Sequence, residues 1–176
     1  MALTRIGGAN AITGTIPQGN IANASLGAVT ALPAAITTGK VLNVVSASFT
    51  NQQATTSDSY TSTVITANIT PTSSSSKIYC YANFKGGCAV SDRSPRYAIF
   101  RDSTNIIGSS STEGSAPYMQ SAGAWFPYMS LSVLDAPTSS SQLTYVVKFR
   151  CQDSTSNTTY CGDNVGKSII ILMEIA

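Results

Sequence analysis

Hydrophobic and polar positions follow two regimes along this chain, and the change falls near Lys40. Before it, aliphatic side chains stand singly among Gly, Ala, Asn and Thr: Leu3, Ile6, Ile12, Ile16, Ile21, Leu26, Val29, Leu32 and Ile36. Their spacing is irregular and fits neither the helix nor the strand period. No charge interrupts the segment between Arg5 and Lys40. Burying these few aliphatics returns less free energy than ordering the whole segment costs in backbone entropy. Residues 1–39 therefore read as an extended arm that takes its order from neighbouring chains or from a larger assembly.

Past Lys40 the pattern becomes short strands separated by Ser, Thr, Asn and Asp clusters. KVLNVVSASFT carries a mixed apolar pattern. TSTVITANIT alternates and ends at Pro71. KIYCYANF alternates clearly, with Ile78, Cys80, Ala82 and Phe84 on one face. RYAIF and NIIG flank RDST, which predicts a hairpin. WFPYMSLSVL is apolar, and its Pro127 predicts an edge or a bulge. QLTYVVKFRC places Tyr145, Val147, Phe149 and Cys151 on one side, and TTYC is short. KSIIILMEI reads as a closing strand buried on both faces. Eight or nine short strands without helical periodicity predict an all-β fold, an antiparallel β-sandwich or jelly roll over residues 40–176.

Composition narrows the function more than the fold. Ser and Thr make up about a quarter of the residues, well above ordinary usage. Ten basic and eight acidic residues leave a net charge of +2, which is neither a nucleic-acid stripe nor a basic membrane face. Histidine is absent. That excludes Ser-His-Asp and Cys-His catalysis within the chain and zinc sites built on histidine. The first residues lack a basic region followed by an apolar one, so no secretory signal is read. The longest apolar run, residues 169–173, is too short to insert in a membrane.

Four cysteines allow three pairings. Cys151 and Cys161 flank the polar stretch QDSTSNTTY and would form a disulfide if it were a hairpin loop. The other reading is buried thiols acting as small hydrophobes. Their spacing is not that of a metal cluster.

Several strings imitate functional motifs. GDNVGKS at residues 162–168 is one residue short of a phosphate-binding loop and leads into a strand where the motif needs a helix. DSTSN at residues 153–157 imitates the start of a calcium loop. Thr158 stands where that loop needs Gly, and Asn164 where it needs Glu. Neither cofactor nor metal is expected. Glycan cleavage would need two neighbouring carboxylates, and only Asp153 and Asp163 have a sequence reason to meet. Arg93 and Arg96 lie near a turn with Tyr97, and Tyr118 and Trp125 in a Gly/Ser-rich stretch. Aromatic faces and guanidinium forks suit a saccharide or protein receptor. Their plainer reading is core capping or packing at a subunit interface.

Three signatures stand together: the arm LTRIGGANAITGTIPQGNIANASLG, the strand GKVLNVV, and the series ITPTSSSSKIYC, FRDST, LSVLDAPTSSSQLTYVVKFR and IIILMEI. The whole resembles short fibre-type virion proteins of tailed bacteriophages, particularly those of aquatic and cyanobacterial hosts, over almost the full chain. The resemblance implies an all-β, homotrimeric virion component without enzymatic activity. Its arm would dock on other virion proteins and its β domain would meet a host surface glycan or protein. Many such domains end longer fibres, whereas this is read as a short complete chain. That leaves two locations open, a tail fibre or a capsid cement (head-fibre) protein stabilising the phage head.

Overall fold

A computed structural model describes residues 40–89, 94–108, 113–115, 127–152 and 157–176. The arm positions Leu3, Ile6, Ile12, Ile16, Ile21, Leu26 and Leu32 lie outside the described residues, as do Arg93, Tyr118, Trp125 and Asp153. The chain divides into residues 1–38 and 39–176, and the fold below belongs to the second unit.

Ten strands are described: β1 (Val41–Phe49), β2 (Gln53–Thr55), β3 (Thr61–Ile69), β4 (Lys77–Cys88), β5 (Arg96–Arg101), β6 (Thr104–Asn105), β7 (Tyr128–Asp135), β8 (Leu143–Arg150), β9 (Thr159–Cys161) and β10 (Ser168–Ile175). They form two antiparallel sheets. The first runs β1-β10-β4-β9-β2, with β7 on the free side of β4; the second runs β3-β8-β5-β6. β2 continues the column of β1 and β9 that of β10, because both β10 and β9 pair with β4 at successive stretches. The first sheet is therefore four columns wide, and the first and last strands are neighbours. Most connections cross between sheets. This is the jelly-roll connectivity.

The alternation expected in β4 and β8 is observed. Ile78, Cys80, Ala82 and Phe84 are buried from one face of β4, and Tyr145, Val147 and Phe149 meet them from β8. Tyr97 of β5 packs its ring 5.3 Å from Phe84. A Cβ at Gly86 would lie 2.7 Å from Met129 Sδ and 2.8 Å from the Tyr97 ring, so only glycine lets the two sheets approach there. Pro127 immediately precedes β7, which is an edge strand as its proline requires. The RDST hairpin also forms. Phe100 pairs with Asn105 and Arg101 with Thr104, and Asp102 takes φ 52° in the turn.

KVLNVVSASFT forms β1 as expected, with a register shift, a bulge, between Val41 and Asn43. One expectation is corrected. β10 is not buried on both faces within the chain. Ile170, Leu172 and Glu174 are fully buried, whereas Ile169, Ile171, Met173 and Ile175 alternate with them and are only partly buried.

Candidate functional site

Of the expected receptor-facing residues, Arg96 is the one described. It opens β5 and sits opposite Arg150 of β8. Its Nη1 donates to the Gly114 carbonyl at 3.4 Å. Residues 113–115 are pinned beside it. Tyr97 and Ser115 exchange two backbone hydrogen bonds of 3.0 and 2.8 Å. Tyr60 Oη and Asn105 Nδ2 each donate to the Glu113 carbonyl at 2.7 Å. The result is an open hollow of about 500 Å³ lined by Arg96, Ile107, Gly108, Glu113, Gly114 and Ser115. One guanidinium, one carboxylate and a hydroxyl converge there. Such a hollow can hydrogen-bond a hydroxyl-rich ligand.

Three carboxylates, Asp135, Asp163 and Glu174, are tied into the fold. In the first sheet Ile78 pairs with Glu174 on one side and with Asp135 on the other, so both acids lie on one inward rung. Asp135 bridges the sheets. Arg101 Nη1 donates to both its oxygens at 2.7 Å, and Tyr145 Oη donates to Oδ2 at 2.7 Å. Glu174 Oε1 accepts from Thr72 N and Thr72 Oγ1, each at 2.7 Å. Burial pushes the Glu174 carboxyl up, but the polar groups of Thr72, Ser76 and Ser73 outweigh it and hold the pKa below its ordinary value. Asp163 accepts from Lys85 Nζ at 2.6 Å and from Gly166 N at 3.0 Å. The Lys85 hydrogen bond is the main cause of its lowered pKa. Residues 162–167 form the bend leading into β10, with no helix N-terminus to receive a phosphate. Among the described residues no group of three His, Cys, Asp or Glu side chains converges as metal ligands.

The cysteines correct another expectation. Cys151 and Cys161 form no disulfide; all four cysteines are buried thiols. The stretch between them is not a hairpin, since Cys151 follows β8 in one sheet and Cys161 ends β9 in the other. Cys151 Sγ donates to the Asn157 carbonyl at 3.0 Å, while Cys161 packs in the core. Burial pushes the Cys80 thiol up to about 12, with Asp135 adding to it, and pushes Cys161 up as well. A thiol held protonated is a poor nucleophile.

The outer face of the first sheet carries exposed apolar residues. Its rungs read Val44–Met173–Tyr79–Leu134, Ser46–Ile171–Tyr81–Ser132 and Ser48–Ile169–Asn83–Ser130. Val44 is 55% exposed and Leu134 53%. A hollow of about 260 Å³ lies between β1 and β10, floored by Ile169 and Ile171 and edged by Ser46 and Ser48. The unbroken IIILM run was the sequence signal for this face, although it was read as burial inside the chain. Comparison with known proteins finds no family model and no curated protein that matches this chain.

Proposed function

We propose that this chain is a non-enzymatic structural protein of a tailed-bacteriophage virion, a tail-fibre or receptor-binding component. Residues 1–39 dock it on other virion proteins, and the jelly roll is presented for host attachment. The observation that carries the reading is how the resemblance strings meet in space. The TSSSSK turn and the terminal LMEI join through Thr72 and Glu174. FRDST, LDAP and QLTY join through Arg101, Asp135 and Tyr145. Strings coupled in this way fasten one fold, so their joint presence argues for a shared architecture more strongly than each turn alone. Jelly rolls serve many functions, so the fold by itself carries no role. The Arg96 hollow supports attachment, and a homotrimer would multiply weak receptor contacts through avidity.

The test is immunogold electron microscopy on purified virions of the phage encoding this chain, with antibody against residues 40–176. Label at the tail is the expected result. Label over the head replaces attachment with capsid decoration, and particles without label overturn the virion reading altogether.

A further inference from the structure

We infer that the Arg96 hollow takes an acidic saccharide, with the sugar carboxylate on the Arg96 guanidinium and ring hydroxyls on Glu113 and Ser115. The inference rests on the attachment reading of this hollow and names the chemical class of its ligand.

Arg96 is bonded differently from two other cations of the fold. Arg101 meets Asp135 at 2.7 Å and Lys85 meets Asp163 at 2.6 Å. Arg96 Nη1 donates instead to a neutral carbonyl, that of Gly114, at 3.4 Å, and its buried Nε has no acceptor among the described residues. A guanidinium offers five N–H donors in a planar fork, and one long bond to a carbonyl leaves its charge uncompensated. Arg150 stands directly across from it in the β5–β8 pairing, where like charges repel. Burial raises the Tyr60 pKa, while Arg150 and Arg96 both act to lower it, so the positive potential reaches that hydroxyl. A Cβ at Gly114 would strike Tyr60 Oη, and Gly114 lines the hollow. The potential therefore falls where a ligand would sit. An anion bound there would offset both cations, and a carboxylate matches the fork with two parallel N–H···O bonds.

The rest of the hollow suits the body of a sugar. The Glu113 carboxylate lies on the Gly108 side, with Oε2 3.0 Å from where a Cβ of that glycine would stand, and it can accept from ring hydroxyls. Ser115 adds a hydroxyl, and Ile107 offers an apolar wall to the ring carbons. The volume of about 500 Å³ falls within the roughly 300–1,000 Å³ of small-ligand sites. A nucleic acid would need a row of phosphate contacts, which a single hollow beside a carboxylate does not supply.

Isothermal titration calorimetry of the full chain tests this with oligomers of galacturonate, glucuronate and mannuronate, each against its own methyl ester. Acid and ester keep the same hydroxyls and differ in charge. At least one acid is expected to bind about tenfold more tightly than its ester, the increment of a charge-assisted hydrogen-bonded pair over a neutral one. Arg96→Gln should abolish that preference and leave ester binding unchanged. Glu113→Ala should weaken acid and ester alike; Glu113 is exposed, so this variant locates the site if Arg96→Gln fails to fold. A panel in which no acid outbinds its ester overturns the inference, as does a preference that survives in folded Arg96→Gln. Inorganic phosphate that displaces the acid as well as the oligomer itself overturns it too, because that marks a bare anion site. Adsorption of the labelled chain to host cells reads attachment separately. Cells that bind the chain while acid and ester bind equally would keep attachment and remove the acidic ligand. A tenfold preference without cell binding would keep the ligand class and remove attachment.

Discussion

Asp135 sits in an edge strand of one sheet yet receives Arg101 and Tyr145 from the other. Its side chain is 10% exposed and that of Arg101 21%. Removing one member leaves the other charge poorly solvated. Asp135→Asn is therefore expected to destabilise the fold by about 3 kcal/mol, measured as a shift in denaturant midpoint. Replacing Arg101 and Asp135 together by Met and Leu should recover most of that loss, because two apolar groups leave no stranded charge. Equal losses in the single and double variants would contradict the role given to the pair. The cysteines allow a second residue-level test. Thiol titration without reductant should find almost no reactive group in the folded chain and all four after denaturation. A shortfall of two after denaturation would reinstate a disulfide.

At the level of elements, Glu174 ties the last strand to the turn between β3 and β4. Its carboxyl pKa lies below the ordinary 4.5 in the folded chain. A depressed folded value means the stabilisation is complete above the unfolded pKa and is lost as pH falls through the folded one. The stability gap between wild type and Glu174→Gln should therefore be constant near neutral pH and shrink progressively below about pH 5. Thermal midpoints measured from pH 7 to pH 3 check this; a gap that does not change over the range would contradict it. Neither Glu174 nor Asp135 had a role legible in the sequence, because each depends on which strands become neighbours. Each acid did stand beside a run of aliphatics, in LMEI and in VLDAP, which is the signal a buried acid leaves. The strands with clean alternation, β4 and β8, were legible because one face of each meets the core along its whole length. β2 was not. QAT is short and polar, and its pairing with β9 alone makes it a strand. Arg96 was legible as a candidate from its place beside a turn, but its hollow was not, since residues 113–115 reach it only through pairing with β5.

The whole molecule joins two properties that the chain pattern separates. The described domain is a jelly roll whose inner faces meet in one core and whose acids Asp135 and Glu174 accept hydrogen bonds from Arg101, Tyr145 and Thr72. Its first sheet carries an uncharged, Ile- and Tyr-bearing outer face. On that face the described residues leave Val44 55% and Leu134 53% exposed. The Arg96 hollow belongs to the opposite sheet. A reconstruction of the intact phage particle by electron cryomicroscopy tests this account most directly. The account expects this chain on the virion tail, with residues 1–39 against other virion proteins and Arg96 turned outward. Particles in which the chain is absent, or in which Arg96 is buried against the particle, would contradict it.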